Sequence, residues 1–236
     1  MKPRAVGFDA GGTLFDLAAC LRAGRRAVRE LLTAEGCSEA ELTSAFAELA
    51  RLNANLDDRA NRSSFRATVE KNWTSAIPPS VRTKITATRI CEISFAKHPH
   101  MPLYDDAIPA VETLRGAGLR LGILSNADPD WYRESIHALG PLHTVVRVNN
   151  TTTPKPALEA FLSFAAAMET SPEEMLYVGD SWNVDVLPAL RAGMHAVFLD
   201  RSEKAAIDLE GTRAANPGRL VARITSLHQL GALVTA

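Results

Sequence analysis

The chain has 236 residues, with 26 Lys plus Arg against 27 Asp plus Glu and a formal net charge of −1, a balance that argues against nucleic acid or an anionic membrane as the main partner. Apolar residues make up 46% and charged residues 22%, ordinary globular values that argue against intrinsic disorder. No apolar run approaches the roughly 20 residues needed to span a bilayer. Met1-Lys2-Pro3-Arg4 leads into a short strand pattern with no secretory h-region, so a cytoplasmic protein is expected. Cys20, Cys37 and Cys91 are odd in number and far apart, which suggests neither a disulfide framework nor a zinc site and fits a reducing compartment.

A buried strand is predicted over Ala5–Phe8. It is followed by a block of helical patterns with almost no strand signal: Leu17–Leu32, Ser38–Leu49, Ser63–Ala76 and, after Pro78-Pro79, Ser80–Ala96. Ser38 with Glu41 is a capping-box pattern, Ser63 and Ser80 are candidate N-caps, and Asn53–Arg62 is polar and reads as a loop. Strand and helix then alternate. Strands are predicted over Leu119–Leu124, Thr144–Val148, Met175–Val178 and Ala196–Leu199, and helices over Ala107–Gly116, Trp131–Leu139, Ala157–Met168 and Val184–Ala192. The polar stretch Arg201–Arg219 reads as a long surface connection.

Such alternation implies an α/β fold, a Rossmann-like doubly wound parallel sheet covered on both faces by right-handed crossovers. The all-helical block interrupts it after the first strand. Residues 1–16 and 99–236 are therefore expected to form the core, and residues 17–98 a helical cap at the carboxyl edge, where open α/β sheets bind their ligands.

Four strand ends carry the chemistry. Asp9 follows the first strand and precedes Gly11-Gly12-Thr13; the glycines permit a sharp turn and bare N–H groups for an anion, although Asp and Gly after a strand are also ordinary turn residues. The second strand stops at Ser125-Asn126, Lys155 stands between prolines just before a helix, and the strand ending at Val178 runs into Gly179-Asp180-Ser181 with Asp185 close behind. In this order around a helical insertion, the four segments are jointly far more specific than any one alone. The chain resembles the haloacid dehalogenase-like (HAD) hydrolase superfamily over nearly its whole length.

The resemblance implies that Asp9 is a nucleophile forming an aspartyl phosphate. It also implies Mg²⁺ held by Asp9, the Gly11 carbonyl and Asp180, with Asp185 in the second shell or bound through water. Lys155 would neutralise Asp9 and the transferring group, while Gly11, Gly12, Ser125 and Asn126 would contact the phosphoryl group. The implied partner is a small phosphorylated metabolite.

One position departs from the family's phosphatase pattern. Most of its phosphatases carry a second Asp, the general acid and base, two residues after the nucleophile; here that residue is Gly11. Its absence keeps two alternatives open: a low-turnover phosphate-binding or regulatory module, and a 2-haloacid dehalogenase or phosphonatase-type enzyme. The dehalogenase pattern expects an Asn at position 182 and an aromatic hydroxyl shortly after the lysine, where Trp182 and Phe161 stand. The phosphonatase pattern expects a cap lysine where Arg51 and Asn53 stand. Asp16 and Asp128 are candidate replacement acids but also natural helix-entry residues. Among the rest, His98-Pro99-His100 reads as a hinge, Trp182 as either pocket or packing, and Arg22, Arg25, Arg26 and Arg29 as a solvated helix face. Arg51, Asn53, Asn55 and Arg59 are candidates for facing the pocket.

Overall fold

The computed structural model describes residues 3–54, 65–128, 130–147 and 153–235. Six strands, β1 (Ala5–Phe8), β2 (Arg120–Ser125), β3 (Thr144–Arg147), β4 (Met175–Gly179), β5 (His195–Leu199) and β6 (Val221–Ile224), form one sheet in the order β3-β2-β1-β4-β5-β6. Every pairing is parallel, with Val6 opposite both Leu121 and Leu176. The winding reverses between β1 and β4, so the crevice for a ligand opens beyond the carboxyl ends of these two strands.

The central strands form where the sequence is apolar on both faces: β1, β4 and β5 are buried at every residue. Gly7 and Gly122 sit side by side in register. A Cβ on Gly7 would lie 2.4 Å from the ring of Phe164, and one on Gly122 would lie 2.4 Å from Met168 Sδ. The glycine pair is thus a trough that lets α6 (Leu158–Ala167) pack close to the sheet.

Between β1 and β2 run α1 (Leu17–Ala34), α2 (Glu39–Asn53), α3 (Phe65–Ala76) and α4 (Ala87–Phe95), and then α5 (Ala107–Gly116). In α1, Cys20, Gly24, Val28 and Leu32 recur every four residues as a buried stripe. The Ser38/Glu41 capping box at α2 is formed. Residues Asn55, Arg59 and Ser63 lie outside the described residues.

The structure corrects several elements. The helix expected over Ser80–Ala96 divides into a 3₁₀ turn, Pro79–Val81, and α4; Thr86 has an extended backbone, and its hydroxyl accepts from the Arg89 N–H, starting a new helix. Trp131–Leu139 is mostly turns with a 3₁₀ segment at Ile136–Leu139. Trp131 and Tyr132 are adjacent and both buried, and Tyr132 has φ 43°, so one helix face cannot serve both. The segment expected as helix over Val184–Ala192 begins earlier, as a π-helical turn at Trp182–Val186, before α7 (Leu187–Arg191). The expected connection Arg201–Arg219 contains α8 (Leu209–Ala215), capped by Asp208, and β6 follows it; α9 (Leu230–Thr235) ends the described chain. No helix of the described residues is long and apolar enough to cross a membrane. The three cysteines are free and buried.

His98 is fully buried where the insertion rejoins the sheet, its ring 4.8 Å from Phe95 and 4.5 Å from Trp131; His100 is exposed. The two histidines therefore do not form a ligand pair. Burial pushes the His98 imidazole down to about 4. Between roughly pH 6.5 and that value the unfolded chain binds a proton that the folded chain refuses, so stability falls as the pH drops through this window. The predicted loss is about 3 kcal/mol by pH 4, absent in His98→Leu; denaturant unfolding of both proteins at pH 7 and pH 4.5 measures the difference.

Candidate functional site

The loops after β1, β2 and β4, together with Lys155, converge on one cavity of about 260 Å³. Asp9 leaves β1 with its N–H on the Val178 carbonyl (2.9 Å). Lys155 Nζ lies 2.6 Å from Asp9 Oδ1, 2.6 Å from Asp185 Oδ1 and 3.0 Å from the Tyr177 hydroxyl. One carboxylate oxygen from each of Asp9, Asp180 and Asp185 lies within 4.8 Å of the others.

Three acidic groups share one ammonium. The Asp180 carboxyl is pushed up to about 8, by desolvation first and then by the charges of Asp9 and Asp185; although its surface opens on the cavity, protein atoms crowd it. The Asp185 carboxyl is raised by burial to about 6, against the pull of Lys155. Burial alone would lower Lys155, but Asp185 and then Asp9 reverse this and hold it well above its ordinary value. The cluster carries more negative charge than Lys155 neutralises. It consists of hard oxygen donors at the spacing of a small divalent cation's ligands.

The loop after Asp9 is shaped for close approach. Gly12 has φ 89°, and a Cβ there would stand 2.0 Å from Asp180 Oδ2, so no side chain fits between the first and fourth segments. The loop closes on itself, with the Leu14 and Phe15 N–H groups on the Ala10 carbonyl, both at 2.9 Å. Ser125 is buried against the cavity, its Oγ accepting from the Ala127 N–H at 3.2 Å, which leaves its hydroxyl hydrogen for a ligand. Asn126 also borders the cavity, but its amide oxygen and nitrogen bond the Lys155 main chain at 3.0 and 2.9 Å. It therefore orients the lysine.

Neither candidate acid stands free in the cavity. Asp16 caps α1 through the Ala19 N–H at 2.8 Å. Asp128, in the loop after β2, accepts from the Phe65 and Arg66 N–H groups at 3.0 and 2.9 Å and so caps α3 from across the chain. Trp182 packs edge-on against Phe198 at 5.4 Å, and Arg51 pairs with Glu48 on the surface. Arg29 pairs with Glu39, and the other arginines of α1 are exposed.

Two residues escaped the sequence reading. Tyr177 brings an aromatic hydroxyl to Lys155 from within β4, while Phe161, where the dehalogenase pattern carries its aromatic hydroxyl, packs on the Tyr177 ring at 5.1 Å. The Tyr177 hydroxyl donates in turn to the Leu124 carbonyl at 2.9 Å and is fully buried behind the cavity. Arg201, just after β5, donates to the Gly12 and Thr13 carbonyls at 3.3 and 2.8 Å and forms a two-pronged pair with Asp106, both contacts 2.9 Å. Asp106 also accepts from Ser226 and the Leu227 N–H. This network ties the loop after Asp9 to the far edge of the sheet.

Fold and site together place a carboxylate cluster at the strand tips of a doubly wound parallel sheet. A family model for haloacid dehalogenase-like hydrolases matches residues 3–193, and the chain belongs to that family. A phosphoserine phosphatase of Thermus thermophilus is 33% identical over 118 residues, covering 49% of this chain and 47% of its own length; the chain thus matches about half of that relative. Among solved structures, the HAD-hydrolase YfnB of Bacillus subtilis superposes with a TM-score of 0.74 at 17% identity, covering 100% of both chains. The L-2-haloacid dehalogenase of Xanthobacter autotrophicus superposes with a TM-score of 0.66 at 20% identity, covering 99% of both.

Proposed function

We propose that this chain is a Mg²⁺-dependent phosphatase of small phosphorylated metabolites, working through an aspartyl phosphate on Asp9. The observation that carries the reading is the position of Lys155, 2.6 Å from both Asp9 and Asp185 beside an acidic trio with excess negative charge. The similarity to a phosphoserine phosphatase supports it. Asp9, the Gly11 carbonyl and Asp180 would hold the ion, with Asp185 bonding the Ser181 N–H at 3.1 Å behind them. Bound there, Mg²⁺ neutralises charge on the phosphoryl oxygens and the trio.

The chain's own groups account for the rest. Lys155, 2.6 Å from Asp9 Oδ1, offsets charge on the carboxylate and on the transferring group. Ser125 would hold a phosphoryl oxygen, whereas the Gly12 N–H is already donated to the Phe15 carbonyl at 2.8 Å. A carboxylate oxygen of Asp9 bonds to phosphorus as the ester P–O bond breaks, and the leaving oxygen takes the electron pair. Water then attacks phosphorus, releasing inorganic phosphate and restoring Asp9. With Gly11 in place of an acid, the leaving oxygen departs without a donated proton, so aryl or acyl phosphates are favoured over alkyl ones.

Phosphate release from an aryl phosphate is expected to fall at least about 10²-fold on chelation and to recover with added Mg²⁺. Rates indifferent to chelation would overturn the metal assignment, and one stoichiometric burst without turnover would favour a regulatory module. Gly11, which supplies no acid, leaves dehalogenation as a second reading; the Tyr177 hydroxyl does not serve it, being fully buried and donating to the Leu124 carbonyl at 2.9 Å. Halide release from a 2-haloacid with chelator present would establish it.

A further inference from the structure

A second concavity, about 210 Å³, opens among the helices of the insertion, lined chiefly by Val28, Phe46, Val69, Trp73 and Phe95. Phe65 borders both this cleft and the cavity that holds Asp9. Its ring lies 5.2 Å from Trp131, which lines the catalytic cavity, and 6.0 Å from Phe95, which lines the cleft. Phe65 thus stands between the two spaces, with Trp131 on one side and Phe95 on the other. Among the described residues of the insertion, only Leu17 and Phe65 line the catalytic cavity, and both are apolar. Among the described residues, a substrate extending from the acidic cluster towards the insertion meets the hydrocarbon of Leu17 and Phe65, and Phe65 also borders the cleft.

The cleft itself is built for an apolar guest. Arg25 stacks its guanidinium on the Phe46 ring at 4.7 Å, and the exposed Leu21 also lines the cleft. Asn53 lines it as well, but its side-chain oxygen accepts from Asn72 at 2.7 Å. An apolar space of about 150 Å³ accommodates benzene, so this one has room for a phenyl ring or a short acyl chain.

We propose that the cleft receives the apolar arm of the substrate, a phosphate monoester whose alcohol carries an aryl or short alkyl tail, with the arm passing beside Phe65. This rests on the phosphatase reading. The test compares phenyl phosphate with 4-butylphenyl phosphate, which share nearly the same leaving group and differ in the tail. At the usual gain per buried methylene, kcat/KM is expected to favour the tailed ester by about tenfold or more. In Ala50→Phe, which puts a ring into the cleft from an exposed helix position, that ratio is expected to fall to about one.

Calorimetric binding of both esters to the Asp9→Asn protein separates the two ideas. If neither ester turns over, yet the tailed ester binds more tightly and Ala50→Phe removes the difference, the cleft assignment stands and the phosphatase reading falls. If both esters turn over at equal kcat/KM and Ala50→Phe leaves their ratio and relative affinities unchanged, the cleft assignment is overturned and the phosphatase reading survives.

Discussion

Asp9→Asn is expected to lower aryl phosphate turnover by at least about 10³-fold while leaving a folded protein. Removing a nucleophile that acts as a unit with its neutralising partner abolishes nearly all the rate such a site provides. The amide cannot form the acyl phosphate bond, and it lowers the charge available to a cation. The fold should not suffer, because the charge on Asp9 is one reason the Asp180 and Asp185 carboxyls are raised. Without it both ionise more readily, and Lys155 keeps Asp185 as its partner at 2.6 Å. Thermal unfolding is therefore expected at or above the parent's midpoint. A variant that is folded and fully active would remove Asp9 from the mechanism.

Gly11→Asp is expected to raise activity towards alkyl phosphates, by about 10²-fold or more once room is made for the side chain. General acid–base assistance is worth roughly 10²–10⁴-fold, and alkoxide leaving groups need it most. Gly11 is not among the glycines with positive φ, so the backbone accepts a side chain. The obstacle is local: a Cβ at Gly11 would stand 3.1 Å from Leu17 Cδ2 and 3.4 Å from Leu17 Cβ. Leu17 opens α1, so the missing acid and the apolar entry to the insertion are packed against each other. The double variant Gly11→Asp/Leu17→Ala should therefore outperform the single one. Steady-state kinetics on alkyl and aryl esters would test this; equal gains on both, or none, would refute the argument from leaving groups.

The central sheet was legible because β1, β2, β4 and β5 are apolar runs buried from both sides, and such runs need no partner to be recognised. β6 was not legible. Val221-Ala222-Arg223-Ile224 is a four-residue edge strand with a charged residue inside it, its Arg223 paired with Asp200. α8 was hidden for a related reason: it has no buried residue, so no apolar period marks it. At the site, Asp9, Lys155, Asp180 and Asp185 could be read because each follows a strand or precedes a helix at one sheet edge. Tyr177 could not, since within a buried strand it is indistinguishable from a packing aromatic until Lys155 is brought to it. Arg201 sits in a stretch whose polarity suggested solvent, and only the approach of β5 to the loop after Asp9 reveals its partners.

The cap that Asp128 forms on α3 also ties the start of that helix to the loop after β2. One carboxylate, anchored beyond β2, grips the first two amides of α3, and hydrogen bonds to a charged group contribute roughly 1.5–3 kcal/mol each. The first of those amides belongs to Phe65, whose ring walls both hollows. Any displacement of the start of α3 would therefore break both hydrogen bonds and shift the ring that borders both hollows.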